Sequence, residues 1–126
     1  MSMVNRKIKQ DGLKISSAEP KKLLEKEITR CVNMLTEKST PEKVILFGTL
    51  ANGSVHEWSD IDLVVVEKTQ LPFFQRIKKT RKLLQPKVGM DIMVYTPEEF
   101  DRLCKERLFF KEEILDKGEI LYERSR

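Results

Sequence analysis

Two aspartates open a run that otherwise belongs in the middle of a β-sheet. In Ser59-Asp60-Ile61-Asp62-Leu63-Val64-Val65-Val66 the apolar positions are mostly β-branched, which is strand composition. A third, Asp91, interrupts a second such run, Val88-Gly89-Met90-Asp91-Ile92-Met93-Val94. A charge inside an apolar strand is costly unless something pairs with it. Side chains alternate faces with a period of two, so Asp60 and Asp62 point to the same side, roughly 6.5–7 Å apart along the strand. If the strand of Asp91 lies beside theirs, all three carboxylates can converge on one face, where like charges repel. A hard divalent cation relieves that repulsion, and Mg2+ takes carboxylate oxygens together with substrate phosphates as ligands. Two such ions about 3.5–4 Å apart form the clamp used for in-line phosphoryl displacement. Asp60, Asp62 and Asp91 are therefore the candidate catalytic and metal-binding residues. The bland alternative is a turn residue followed by a solvent-facing one.

Helical and extended periods alternate around these strands. Leu24, Ile28, Cys31, Val32 and Leu35 predict a helix over about Pro20–Thr36, broken by Ser39-Thr40-Pro41. Lys43–Phe47 reads as a first strand, residues 48–59 as a polar loop and Ile61–Val66 as a second strand. Pro72–Gln85 reads as a helix with Phe74, Ile77 and Leu84 inward and its basic residues outward, followed by a third strand, Val88–Tyr95. Thr96-Pro97-Glu98-Glu99 is a capping box with proline at the first helical position. That helix is expected to run to about Arg107, and a further helical segment, Leu108–Lys117, to stop at Gly118 as a C-terminal glycine would. Glu119–Glu123 is a last short strand. The expectation is an α+β fold, a small mixed β-sheet with helices packed against it.

At 126 residues this is one domain, long enough to build a core without metal or disulfide staples. The net charge of +4 resides in residues 1–22, and the remainder is neutral. Residues 1–17 lack a period and are expected to form a basic flexible arm ahead of a folded domain, 18–126. From Lys68 to Met90 there are seven basic residues and no acid. Such a stretch either attracts phosphates or is a solvated helix face. A nucleic-acid module rests on these features alone, without interleaved aromatics or a recognised motif, so nucleic acid is not the expected partner. The longest apolar run, Ile61–Val66, is broken at Asp62, far short of the ~18 residues of a membrane span. With no secretory signal in view, a cytoplasmic location is expected. Cys31 and Cys104 then read as buried or half-buried free thiols. His56 reads as a solvated turn residue, and Trp58, Tyr95 and Tyr122 as packing residues.

Ahead of the aspartates, the first strand ends in Phe47-Gly48-Thr49. A glycine there lets a phosphate approach the backbone, and a hydroxyl with nearby N–H groups can hold it. The spacing Gly48 to Gly53 imitates a P-loop, but Ser54-Val55 follows where Lys-Ser or Lys-Thr is required. The dinucleotide G-x-G-x-x-G pattern is absent as well.

The stretch V-I-L-F-G-T-L-A-N-G-S-V-H-E-W-S-D-I-D-L-V-V-V resembles the signature of the polymerase-β-type nucleotidyltransferase superfamily. That signature is an apolar strand, Gly-Ser, a short loop, Asp-x-Asp opening the next strand and a third acid on a later one. The tail, D-I-M-V-Y-T-P-E-E-F and then G-E-I-L-Y-E, is similar to the minimal nucleotidyltransferase branch. The resemblance covers about residues 20–123 and implies the nucleotidyltransferase fold. It implies that Gly48, Thr49 and Ser59 bind the nucleotide and that Asp60 and Asp62 bind two Mg2+ ions. Asp91 would complete the metal site and help activate the attacking hydroxyl. Thr49 replaces the family's usual serine and keeps the hydroxyl. Asn52 stands where the family commonly has arginine, which removes a cation expected near the phosphates.

The implied activity is Mg2+-dependent transfer of NMP, AMP from ATP foremost, to a hydroxyl acceptor. The chain is too short for a separate acceptor-binding domain, so the acceptor is expected on a partner. In the resembled branch that partner is a helical HEPN-domain protein, and the two act as toxin and antitoxin. The rival reading is a catalytically weak binding module that sequesters its partner. Asn52 favours the rival; three clustered acids favour the enzyme.

Overall fold

The computed structural model describes residues 18–48 and 60–125. The elements, in order, are α1 (Ala18–Lys38), β1 (Lys43–Phe47), β2 (Ile61–Val66), α2 (Phe73–Leu84), β3 (Met90–Tyr95), α3 (Pro97–Glu106), α4 (Leu108–Phe110), a π-helical segment (Lys111–Asp116) and β4 (Glu119–Glu123). The sheet order is β3-β2-β1-β4. β1 runs antiparallel to β2 and β4, whereas β2 and β3 are parallel, and α2 is the crossover that a parallel pair requires. The sheet is mixed and the fold α+β, as the alternation of periods predicts. The expected arm, residues 1–17, lies outside the described residues.

β2 is apolar at nearly every position because both its faces are covered. Ile61, Leu63 and Val65 join Val44, Leu46, Ile92 and Val94 in a core closed by α1 and α2 through Leu24, Cys31, Leu35 and Leu84. Val64 and Val66 face the other way, with Ile45, Phe100, Phe110 and Ile114. Cys31 is a buried free thiol and Cys104 a half-buried one. No helix among the described residues is long and apolar enough to cross a membrane.

The expected orientation of α2 is reversed at two positions. Phe74 is 76% exposed, and Arg76 is only 9% exposed. Phe73 turns inward in place of Phe74 and stacks on Tyr95, ring centroids 5.6 Å apart. Arg76 is buried because its donors are met: it reaches Leu71 O at 2.8 Å, Val94 O at 3.2 Å and both Glu99 carboxylate oxygens at 2.7 and 3.2 Å. Arg81 stays outside but donates to Met90 O at 2.6 Å. The carbonyls of Gly89 and Tyr95 accept from β2-side N–H groups, so those of Met90 and Val94 point out from the edge of the sheet. Two arginines of α2 thus occupy acceptors that an unpaired edge strand would otherwise offer to another chain.

Thr96 closes the predicted capping box, accepting from Glu99 N while its own N–H donates to the Glu99 carboxylate. The segment after Arg107 is not one regular helix: a single α-turn, α4, widens into the π-helical segment. Gly118 is not a left-handed cap either. A Cβ there would collide with the carbonyl of Ile114 and crowd the side chain of Ile45, so glycine is needed for close approach to β1.

Candidate functional site

Parallel pairing brings β2 and β3 together in the register Ile61↔Met90 and Asp62↔Asp91. Across β1, Phe47 stands opposite Asp62. Phe47, Asp62 and Asp91 therefore form one row across three strands, with neighbouring strands about 4.8 Å apart. The row lies on the sheet face that carries Ile45 and Val64, beyond the part covered by Phe100 and Phe110. Asp62 is half-buried; Asp60 and Asp91 are exposed.

Two glycines make room for the Asp-x-Asp pair. Gly48 has φ +79°, and a Cβ on it would lie 2.5 Å from Asp62 Oδ2. The backbone leaving β1 thus folds against the Asp62 carboxylate in a conformation that suits glycine. Gly89 lies against Asp60, whose Oδ1 occupies the place of a Cβ. Sequence reasoning singled out Gly48 and missed Gly89. The available signal was a glycine at the start of an apolar strand, which marks close approach of another group.

The Asp62 carboxyl is pushed up to about 6. Burial is the largest cause, followed by the charge of Asp91, a hydrogen bond with Asp91 and the charge of Asp60. Among the described residues, no lysine or arginine forms an ion pair with any of the three acids. Asp62 and Asp91 are the close pair, and Asp60 is turned against Gly89. The described residues hold no cluster of three acid, histidine or cysteine side chains drawn together as metal ligands. The donor set nevertheless fits a hard cation: two adjacent carboxylates without counter-charge among the described residues. Thr49 and Ser59, with Asn52, His56 and Trp58, lie outside the described residues.

The family model "Polymerase beta, Nucleotidyltransferase" matches residues 29–126. The chain is 33% identical over 100 residues to "Putative protein adenylyltransferase MJ0604" of Methanocaldococcus jannaschii, a match covering 78% of this chain and 97% of that protein. In structure it is similar to a crystallised "putative nucleotidyltransferase from Sulfolobus solfataricus", with TM-score 0.64 and 21% identity, covering 91% of this chain and 94% of that one. A mutant toxin–antitoxin complex, MntA-HpeT, gives TM-score 0.55 at 19% identity, covering 78% and 73%. The last two likenesses concern the fold alone. With the family model spanning most of the chain and strand register setting two strand acids side by side, the chain belongs to the polymerase beta nucleotidyltransferase family.

Proposed function

We propose that this nucleotidyltransferase moves AMP from ATP to a hydroxyl group on a partner protein, with Mg2+ held by Asp60, Asp62 and Asp91. The observation that carries the reading is the register pair Asp62↔Asp91, an acid pair without a counter-charge among the described residues, in which burial first and the Asp91 charge second raise the Asp62 carboxyl to about 6. Support for a protein acceptor is the naming of the M. jannaschii relative as a protein adenylyltransferase. Support for a paired toxin–antitoxin role is the fold shared with a toxin–antitoxin component and the resemblance to the minimal branch, whose partner is a HEPN-domain protein.

In this reading Mg2+ supplies charge neutralisation at the triphosphate and at the attacking oxygen. The family resemblance assigns Gly48, Thr49 and Ser59 to the nucleotide, and the left-handed backbone at Gly48, φ +79°, seats it against the Asp62 carboxylate. Asp91, the more exposed of the pair, orients the acceptor hydroxyl and draws off its proton. The acceptor oxygen bonds to the α-phosphorus as the bond to pyrophosphate breaks. Catalysis rests on placement and preorganised charge rather than on a covalent intermediate.

The test is transfer of label from ATP, in the presence of Mg2+, to the protein encoded beside this one. Asp62→Asn keeps the shape and removes a charge. Loss of one preorganised stabilising group removes about 2.7–4 kcal/mol, so transfer should fall at least roughly 100-fold while partner binding holds. If the parent transfers nothing, and both forms bind and silence the partner equally, the sequestering module is the correct reading.

A further inference from the structure

A cavity of about 280 Å³ lies between the end of α1, the segment after β2 and the flank of α2. It is separate from the acid site. Val94 and Leu83, which line it, belong to the core on the α1–α2 side of the sheet, whereas Asp62 lies on the opposite face. Glu67, at its edge, is five residues from Asp62 along β2, on the order of 16 Å by strand rise.

Its lining divides by chemistry. Leu71, Leu83 and Val94 form an apolar floor, and Lys38, Lys79 and Lys82 stand at the rim. Among the described residues, none of these three lysines has an ion-pair partner. Glu67 is the one acid lining the cavity, and it already accepts from Ser39 Oγ at 2.7 Å. Arg76 also lines the cavity, but its charge is matched by Glu99. The surplus is two positive charges, the complement of a phosphate monoester, which carries about −1.5 to −2 near neutral pH. An apolar floor beneath a polar rim is the usual form of a small-molecule site, and the volume sits just under the usual lower bound of about 300 Å³. A long nucleic-acid backbone fits less well. Arg76 and Arg81, which would extend the basic surface along α2, are engaged with carbonyls of β3.

We propose that this cavity is a second ligand site, taking a mononucleotide-sized phosphate monoester without a divalent metal. The ammonium groups at the rim supply the charge that Mg2+ would supply elsewhere, and the floor takes the apolar side of the ligand. The proposal is independent of the reaction assigned to the acid site.

The experiment is calorimetric titration of the full chain with AMP in EDTA, with adenosine and inorganic phosphate as separate probes. AMP should saturate at one per chain and bind at least about tenfold more tightly than either fragment, because charge and floor act together. The double variant Lys79→Gln, Lys82→Gln should weaken AMP at least about tenfold while Mg2+-dependent ATP binding is unchanged. Both side chains are exposed, so its melting temperature should match the parent's. Asp62→Asn should leave AMP binding intact. Absence of saturation at millimolar AMP overturns the proposal. So does phosphate binding as tightly as AMP, or AMP binding that survives the lysine changes and is lost in Asp62→Asn.

Discussion

β3 meets charge in opposite ways at its two ends. Beyond its C-terminal half, Arg76 is buried, and its guanidinium is shared between the Glu99 carboxylate and the carbonyls of Leu71 and Val94. At its N-terminal end, Asp91 stands beside Asp62, and no cation among the described residues answers either acid. The same sheet and crossover helix support both. A chain able to build one compensated charge set gains nothing structural from leaving the other bare. The compensated end ties α2 and α3 to the sheet, and the bare end is a place for a cation from outside.

α1 adds a second compensated set. Glu27, 6% exposed, takes two bonds from Arg30 at 2.8 Å and one from Lys87 N at 2.7 Å. Burial pushes its carboxyl up, and these partners outweigh it, so the net shift is downward. The turn before β3 is thereby fastened to α1, which sets where Gly89 and Asp91 begin.

The contrast is broken most directly at Arg76. Removing one partner of a buried pair leaves the other uncompensated, at about 3–5 kcal/mol. Glu99 is 31% exposed, so water recovers part of that, and Arg76→Ala should cost about 2–4 kcal/mol. The shift of the urea midpoint at constant slope reads this. A loss below about 0.5 kcal/mol, the range of an ordinary surface change, would mean that the pair is ornamental and the contrast false.

The strands and the capping box were readable because each is written locally: β-branched runs at a period of two, and Thr-Pro-Glu-Glu in consecutive positions. Arg76 was not readable. Its burial depends on Val94 O and Glu99, which lie 18 and 23 residues away, and an isolated basic run looks solvated. Phe73 and Phe74 are likewise adjacent aromatics whose period does not say which one turns in. Asp62 and Asp91 lay between these cases. Alternation put each on a face, but only strand order could make them neighbours.

A smaller effect separates the two glycines that flank the acids. At Gly48 a methyl group meets Asp62 Oδ2 at 2.5 Å, and φ is +79°. Gly48→Ala should cost about 1–2 kcal/mol from backbone strain alone, with nucleotide binding reduced as Asp62 is displaced. At Gly89 the obstructing atom is the tip of exposed Asp60, which can swing away. Gly89→Ala should stay within about 0.5 kcal/mol of the parent in stability and still lower transfer. Equal destabilisation by both would show that Asp60 is held as firmly as Asp62.

The smallest effect is one of sign, and it tests the contrast through stability alone. In chelator, the folded Asp62 carboxyl titrates near 6, raised from 3.8. Folded protein then binds that proton more tightly than unfolded chain, so the contribution is fully present below about pH 3.8 and is lost as pH rises through about 6. Glu99 runs the other way. The Arg76 hydrogen bond is the first cause holding its carboxyl below the ordinary value. Its contribution is present above the unfolded pKa and is lost as pH falls through the folded one. Asp62→Asn should therefore gain stability over the parent as pH is raised from 5 to 8. With Asp62 half-exposed and screened by water, the gain should be below about 1 kcal/mol. Glu99→Gln should lose stability at neutral pH and approach the parent as the solution is acidified. Melting temperatures of Asp62→Asn from pH 5 to 8, and of Glu99→Gln from neutral pH down to well below the ordinary carboxyl value of 4.5, give the answer. Two curves sloping the same way would mean that the two ends of β3 handle charge alike.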